Sequence, residues 1–212
     1  MQLESSQKEW FELTMLTRKM LRLIKYILAT KELCLKQATI NGSWKITGLC
    51  DSDYAGDNDT RKSVTGYVIY LNGLIICWKS KGQPIVTLSS TEAEYVAATD
   101  ITTELLFIKQ VMKFLGMEMK DKMNIKIDNQ GALFLSENEY ACQRTKHIDV
   151  RYHYIRQHIE EGTIEMELIR SEENTADMFT KNLGHDLFWT HVYELMEWKT
   201  EDENTDNVEH EE

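Results

Sequence analysis

The amino-terminal part of the chain has the hydrophobic period of a helix. Apolar residues recur at spacings of three and four through residues 8–31, and basic residues occupy positions between them. The apolar set is Leu13, Leu16, Met20, Leu23, Ile24 and Ile27. We predict an amphipathic helical segment within residues 1–40 that packs on a neighbouring unit. A basic helix that faces nucleic acid is the alternative.

After Ser43 the pattern changes to that of β-strands. Three runs follow one another: Trp44–Tyr54, Val64–Leu71 and Leu74–Lys79. Asn72-Gly73 separates the last two runs, and Asn-Gly between apolar runs indicates a tight hairpin because both turn residues need a positive φ. The sequence therefore predicts an antiparallel meander of three strands.

Helices dominate the chain from Ser89 onward. Ser89 and Glu92 have the spacing of a capping box, which predicts a helix that begins here and reaches Leu115, either continuous or broken near Thr102. The runs that follow predict a strand at Met123–Asp128, helices at Gln130–Ser136 and Lys146–Glu160, a strand at Thr163–Arg170 and a helix that begins near Asn174. Five strands interleaved with helices indicate a mixed α/β fold.

Composition narrows the class of protein. The 212 residues are 42% apolar, enough to fill one core, and no run of about 18 apolar residues predicts a membrane span. The segment MQLESSQKEW lacks the apolar stretch of a signal peptide. The four cysteines form no CxxC pair, so we interpret them as reduced thiols of a protein in the cytosol or nucleus.

The acidic charge is concentrated at one end. Residues 197–212 contain eight acids and one lysine, which is −7 of the formal net charge of −11. The remaining −4 is weak evidence against a polyanionic partner, because bound metal would neutralise several of the acids. We predict that residues 197–212 form an acidic, disordered tail.

Four carboxylates lie where predicted strands end or helices begin. They are Asp51, Glu94, Asp128 and Asp177, in the segments GLCDSDYAG, SSTEAEYVA, IKIDNQGA and NTADMFTK. A fold can bring such acids together, and clustered carboxylates repel one another unless a cation lies between them. Oxygen ligands suit Mg²⁺ or Mn²⁺, and paired divalent ions hydrolyse phosphodiesters. The set therefore predicts a metal-dependent nuclease.

Each carboxylate also has an ordinary structural explanation. Asp53 shares the strand face of Asp51 and competes with it, although the Ala55-Gly56 turn explains Asp53 adequately. The capping box explains Glu92 and leaves Glu94 without a structural role, so Glu94 is preferred.

The two later acids have alternatives of the same kind. Asp128 can be the N-cap of the next helix, and Asp177 can be a first-turn acid that favours a helix dipole. His147, His153 and His158 lie on different faces of one predicted helix, so they do not suggest a zinc site.

Six segments resemble the ribonuclease H domain of copia-type retrotransposon polyproteins. They are GLCDSDYAGD, TRKSVTGYVIYL, SSTEAEYVA, IKIDNQGA, RTKHIDVRYHYIR and TADMFTK. The resemblance is collinear from about Gly48 to Leu183. RLIKYILATK resembles the segment that joins reverse transcriptase to that domain.

The resemblance implies a ribonuclease H-like fold over residues 43–196, with a five-stranded mixed sheet and helices on both faces. It implies that Asp51, Glu94, Asp128 and Asp177 bind two Mg²⁺ ions, or Mn²⁺ in their place, and hydrolyse the RNA strand of an RNA·DNA hybrid during reverse transcription. The implied partner is the reverse transcriptase portion of the same polyprotein. The implied location is a virus-like particle in the cytoplasm, or the nucleus.

The chain departs from cellular ribonucleases H in two respects. The loop before the last acid, SEENTA, lacks the histidine that is thought to aid turnover, so we expect slower product release. No basic helical handle for the hybrid is apparent either. We expect scattered cations to bind the substrate: Arg61, Lys62, Lys79, Lys81, Arg144 and Lys146.

Two other functions compete with this prediction. A transposase or integrase shares the broad fold, but its usual acid order is Asp, Asp, Glu, whereas glutamate comes second here. A catalytically idle or co-opted fragment that binds nucleic acid or protein is the non-enzymatic alternative. The presence of all four acids favours the nuclease.

Overall fold

A computed structural model of the chain describes residues 2–36, 43–117, 119, 121–137 and 146–198, without the side chains of residues 2–12, 137 and 146–149. The chain divides into two compact units. One comprises residues 1–34 and 196–212, and the other comprises residues 35–195.

The first unit contains one long helix and most of a short sheet. Helix α1 spans Gln2–Thr30, and strand β1, Leu33–Leu35, pairs with strand β7, Met196–Trp198. The apolar stripe predicted on α1 is 49% to 58% exposed at its six positions, and its packing on a neighbouring unit stays a prediction. Of the predicted acidic tail, Glu197 and Trp198 belong to β7, and residues 199–212 lie outside the described part.

The second unit is built on a five-stranded sheet. Its strands are β2 (Ile46–Asp53), β3 (Val64–Leu71), β4 (Leu74–Gly82), β5 (Met123–Ile127) and β6 (Ile164–Leu168). The order across the sheet is β4-β3-β2-β5-β6. Strands β2, β3 and β4 are antiparallel neighbours, whereas β5 runs parallel to β2 and β6 parallel to β5. This is the mixed sheet that the resemblance to ribonuclease H implies.

Helices cover both faces of this sheet. The helices α2 (Ser90–Phe114), α3 (Gln130–Glu137) and α4 (Lys146–Glu160) follow the meander. Alternate residues of β2 and β3, such as Cys50 and Ile69, join the main core on the face of α2. Leu49 and Val68 point to the opposite face. They pack with Ala176, which belongs to the 3₁₀ helix Thr175–Phe179. The predicted arrangement of helices on both faces is confirmed.

Helix α2 begins as predicted. The Ser89 hydroxyl accepts the N–H of Glu92 at 3.1 Å, and the Glu92 carboxylate accepts the N–H of Leu88 at 2.8 Å. The helix is continuous through the suggested break, because the hydroxyls of Thr102 and Thr103 bond back to carbonyls four residues earlier without interrupting the helix.

The segment after β6 is less regular than the sequence suggests. Two short 3₁₀ helices, Ser171–Glu173 and Thr175–Phe179, precede helix α5, His185–Leu195. The helix predicted to begin near Asn174 is therefore a single 3₁₀ turn followed by a separate α-helix.

Cys34, Cys50 and Cys77 are free thiols, and Cys142 lies outside the described residues. Within the described ranges, every helix falls short of the length and apolar character needed to cross a membrane.

Candidate metal centre

Asp51 lies at the middle of the sheet, on the strand where antiparallel and parallel pairing meet. Strand β2 pairs with β3 on one side and with β5 on the other, and Asp51 stands opposite Gly66 of β3. The side chain is only 2% exposed. A buried acid within a central strand is costly unless its charge is compensated, so Asp51 needs a partner.

Glu94 reaches this strand from the first turns of α2. Its Oε1 accepts the backbone N–H of Ser52 at 3.0 Å and the Ser52 hydroxyl at 2.9 Å. Its Oε2 is buried and has no hydrogen-bond partner among the described residues. One oxygen is thus fixed by the strand, while the other is available to a ligand.

Asp128 follows the last residue of β5 directly. The alternative role as N-cap belongs to its neighbour, because Asn129 Oδ1 accepts the N–H of Ala132 at 2.9 Å. Asp128 instead accepts a hydrogen bond of 2.8 Å from the hydroxyl of Ser171. Its carboxylate is therefore not used to begin the helix.

The fold brings these three carboxylates to one place. Asp51, Glu94 and Asp128 each offer an oxygen, and the three oxygens all lie within 4.8 Å of one another. The three residues come from β2, α2 and the end of β5, so they meet only in the folded unit.

Asn174 ties the 3₁₀ helix that carries Asp177 to the strand that carries Asp51. The Asn174 amide donates to the carbonyl of Cys50 at 3.0 Å, and its Oδ1 accepts the N–H of Ala176 at 3.2 Å. The 3₁₀ turn also needs a glycine beneath it. A Cβ at Gly66 would lie 2.5 Å from a methyl of Thr180 and 2.9 Å from Cβ of Phe179.

Lys181 joins Asp177 to Asp51. Its ammonium lies 3.0 Å from Oδ1 of Asp177 and 3.5 Å from Oδ1 of Asp51. The hydroxyl of Thr180 donates to the other oxygen of Asp51. The four predicted carboxylates therefore form two overlapping groups, and Asp51 belongs to both.

Burial and mutual repulsion change the acidity of this cluster. Burial, and then the charges of Asp51 and Asp128, raise the pKa of Glu94 to about 8. Burial and the charge of Asp51 likewise raise the pKa of Asp177 to about 7. Burial alone would lower the pKa of Lys181, but the neighbouring carboxylates outweigh it and raise that pKa above its ordinary value.

The donor set fits a hard divalent cation. All the candidate ligand atoms are carboxylate oxygens, which Mg²⁺ and Mn²⁺ prefer over sulfur or nitrogen. The partnerless Glu94 Oε2 is buried beside two further carboxylates, and a cation there would supply both its missing partner and the missing positive charge. Asp51, Glu94 and Asp128 can thus hold such an ion together.

The two competing acids lie apart from this role. The carboxylate of Asp53 lies over the turn after β2, so close to Gly56 that a Cβ there would collide with it. The carboxylate of Glu92 accepts the N–H of Leu88 at 2.8 Å. Glu92 thus has a local structural function, as the sequence suggested, and Asp53 lies at the turn that was its alternative explanation.

The predicted substrate-binding cations are spread over the surface. Lys81 is exposed near the end of β4, and Arg61 is exposed in the loop before β3, where its φ is 56°. Lys62, next to Arg61, is partly buried. Lys79 is 3.8 Å from Asp100 of α2, which restrains its ammonium. Arg144 and the side chain of Lys146 lie outside the described part.

Several residues of the site were not singled out from the sequence. They are Ser52, Ser171, Asn174, Thr180 and Lys181. Lys181 carried a usable signal, because it lies four residues after Asp177 in the TADMFTK segment. Ser52 gave no comparable signal, because it lies between Asp51 and Asp53 in GLCDSD and an aspartate is the more obvious metal ligand.

Sequence comparison places the chain among known proteins. No family model matches it. A retrovirus-related Pol polyprotein from transposon TNT 1-94 of Nicotiana tabacum is 41% identical over 167 residues, covering 78% of this chain and 12% of the polyprotein. One from transposon RE2 of Arabidopsis thaliana is 33% identical over 169 residues, covering 79% and 11% respectively. The relatives of this chain over most of its length are thus copia-type Pol polyproteins.

The copia-type relatives are much longer than this chain, which spans about an eighth of the length of those that it matches. A distant likeness to the solved structure of LC11-RNase H1 in complex with RNA/DNA hybrid has a TM-score of 0.48 and 16% identity, over 64% of this chain and 94% of that one. The copia-type Pol relatives confirm the resemblance that the sequence motifs showed.

Proposed function

We propose that this chain is a ribonuclease H: a metal-dependent endonuclease that hydrolyses the RNA strand of RNA·DNA hybrids during retrotransposon reverse transcription. The observation that carries the proposal is the meeting of Asp51, Glu94 and Asp128, from three separate elements, with oxygens within 4.8 Å of one another. Asp177, next to the same Asp51 through Lys181, supplies the fourth acid. The copia-type Pol relatives are consistent with this activity.

Each acid has a distinct place in the proposed centre. Asp51, Glu94 and Asp128 would hold one Mg²⁺, and Asp51 and Asp177 would hold a second, with Mn²⁺ as a substitute. Bound ions of this kind activate the attacking water and stabilise the leaving 3′ oxygen, which yields a 5′-phosphate and a 3′-hydroxyl. Ser52 keeps the Glu94 carboxylate oriented, and Ser171 does the same for Asp128.

The substrate would be recognised by shape rather than by base sequence. The 2′-hydroxyls in a wide minor groove distinguish an RNA strand from DNA, so sequence preference should be weak. Contacts between phosphates and basic side chains should make binding salt-sensitive. Lys81 is a candidate for such contacts. It stands opposite Thr65 of β3, and Thr65 stands opposite Ser52 of β2. Two strand spacings, roughly 10 Å, therefore separate Lys81 from β2. The other predicted cations, including Lys79, remain candidates.

The proposal extends to a partner and a location. In the copia-type relatives the corresponding segment is part of a long polyprotein. We expect the reverse transcriptase portion of the same polyprotein to help hold the hybrid. A virus-like particle in the cytoplasm, or the nucleus, is the expected location.

The test is cleavage of a hybrid whose RNA strand is labelled at its 5′ end, by the purified full chain. We expect cleavage with Mg²⁺ or Mn²⁺, none in excess chelator, and little action on duplex DNA of the same sequence. The variant Asp128→Asn is the control for a contaminating nuclease, and it should not cleave. Equal cleavage in chelator would refute the metal-dependent mechanism. Salt-sensitive hybrid binding without cleavage would support the co-opted binding module instead.

A further inference from the structure

Lys181 lies where the two halves of the carboxylate cluster meet. The group Asp51, Glu94 and Asp128 forms one half, and the pair Asp51 and Asp177 forms the other. Among the described residues, Lys181 forms ion pairs with Asp177 and Asp51, its ammonium 3.0 Å from the first and 3.5 Å from the second, and neither Glu94 nor Asp128 forms one. One positive charge thus lies between two carboxylates that are each less than 5% exposed.

The turn after the 3₁₀ helix directs Lys181 to this position. The backbone N–H groups of Thr180 and Lys181 both donate to the carbonyl of Asp177 at 3.2 Å, which places the lysine one turn after the acid. The lysine side chain itself is 37% exposed. Its flexible four-carbon stem therefore has an open route to solvent that the buried acids lack.

We propose that Lys181 is an internal counter-cation, which occupies the Asp51–Asp177 half of the centre in the metal-free protein and which a divalent ion must displace to bind there. The inference rests on the proposed function, since it concerns the second of the two proposed ions. The ammonium and a divalent ion would compete for the same carboxylate oxygens, and their mutual repulsion prevents both from lying between the two acids.

The consequence is an unequal pair of metal sites. Among the described residues neither Glu94 nor Asp128 forms an ion pair, so the half that contains them loses less when Lys181 moves and binds its ion at the lower metal concentration. The half that contains Asp177 binds an ion only where the free energy of ion binding exceeds that of the two ion pairs that Lys181 gives up. Lys181 would thereby set the metal concentration at which the complete centre forms.

A purely structural salt bridge makes different predictions. If Lys181 only anchored the 3₁₀ turn, its removal would weaken or leave unchanged the binding of the second ion, since Asp177 would be less well held. If Lys181 is a competitor, its removal strengthens that binding. The sign of the change therefore separates the two roles.

The experiment is a titration of the full chain with Mn²⁺, in which electron paramagnetic resonance measures free Mn²⁺. Lys181→Met removes the charge and keeps the length of the side chain, while Lys181→Arg keeps the charge. Lys113→Met is the matched control, because Lys113 is exposed near the end of α2, 19 residues after Glu94 and roughly 28 Å along the helix.

We expect wild type to bind two Mn²⁺ with unequal affinity, and Lys181→Met to bind the second at least about tenfold more tightly, because a competing positive charge is removed. Lys181→Arg and Lys113→Met should retain the weak second site. A second readout is unfolding by urea: Lys181→Met should be less stable than wild type in chelator, and should gain more stability from Mn²⁺ than wild type gains.

An unchanged or weaker second site in Lys181→Met would overturn the inference and leave the proposed function standing. Failure of wild type to bind any Mn²⁺ would overturn the proposed metal centre, and the inference with it. The hybrid cleavage assay decides the activity separately, so the two failures remain distinguishable.

Discussion

Glu94 of α2 and Ser52 of β2 form a double hydrogen bond across 42 residues of sequence, in which one carboxylate oxygen accepts both the N–H and the hydroxyl of the serine. The contact leaves Oε2 without a partner among the described residues. Similar hydroxyl contacts reach Asp128 from Ser171 and Asp51 from Thr180. Three of the four proposed ligands are therefore oriented by a neutral donor, which holds a carboxylate without contributing a competing charge.

Replacing Ser52 with alanine should weaken metal binding. The variant loses the 2.9 Å hydroxyl contact to Glu94 but keeps the backbone one, so the carboxylate gains freedom without leaving the site. We expect Mn²⁺ affinity to fall by about tenfold, at the low end for groups that orient metal ligands. Ser80→Ala, at an exposed position of β4, is the control and should bind as wild type does. Unaltered affinity in Ser52→Ala would show that the backbone contact alone suffices.

Substitutions at Glu92 should change mainly stability, whereas a substitution at Glu94, on the same helix, should change mainly catalysis. Glu92→Ala removes the acceptor of the Leu88 N–H and should cost about 0.5–2 kcal/mol, while Glu92→Gln keeps an acceptor oxygen and should cost less. Both should retain cleavage where they are folded. Glu94→Gln should reduce turnover by orders of magnitude with little change of melting temperature in chelator.

The reason for this contrast is geometric. Residues two apart on a helix point about 200° from one another, so only one of the two glutamates can face Asp51. An active Glu94→Gln together with an inactive Glu92→Gln would contradict the assignment.

Asp128 and Asn129 provide a second matched pair. Asp128→Asn keeps the shape of the side chain and removes its charge, so cleavage should be lost while stability in chelator stays the same or rises as repulsion falls. Asn129→Ala removes the cap bond to the N–H of Ala132 and should lower the free energy of unfolding by about 1 kcal/mol, with cleavage retained. Urea unfolding and the hybrid assay measure the two effects. Loss of cleavage in both variants at full folding would argue against a purely structural role for Asn129.

The stability of the metal-free protein should decrease with rising pH. In the folded chain burial and the charges of Asp51 and Asp128 raise the pKa of Glu94 to about 8, from 4.5. The unfolded state therefore loses this proton first, and folding becomes less favourable as pH rises from about 4.5 to 8. Asp177, whose pKa is raised to about 7 by burial and Asp51, acts with the same sign.

Between pH 7 and 8.5 we expect the free energy of unfolding in chelator to fall by about 1 kcal/mol through Glu94. In Glu94→Gln the free energy of unfolding should therefore fall by about 1 kcal/mol less over this pH range. In wild type, saturating Mg²⁺ should abolish the fall that is due to Glu94. His191, whose pKa is lowered by burial, changes charge below this window. Urea unfolding at the two pH values is the measurement. An equal slope in wild type and Glu94→Gln would assign the effect to other groups.

The regular elements could be predicted from the sequence because their signals are local. The bounds of Val64–Leu71 and Lys146–Glu160 agree with the structure to the residue, since Asn72-Gly73 ends the first and Gly162 follows the second. The first strand was predicted too long at both ends, because Trp44 and Tyr54 have strand-like side chains but lie outside the ladder of β2.

The candidate site was predictable only in part. Its acids were visible because an aspartate within or just after an apolar strand is unusual. The residues that hold them were not visible, because the contact of Ser52 with Glu94 and that of Lys181 with Asp51 join positions 42 and 130 residues apart. Hydrophobic period reports the face on which a residue lies and carries no information about its distant partner.

The bond from Asn174 to the Cys50 carbonyl spans 124 residues, so the two parts of the centre that it joins are synthesised far apart in time. A ribosome releases all five strands of the sheet before it releases Asp177 and Lys181. The nascent chain can thus form its sheet and bring together three acids while the fourth is still absent. The proposed carboxylate centre is in this sense completed within a few residues, after all five strands that support it have been made.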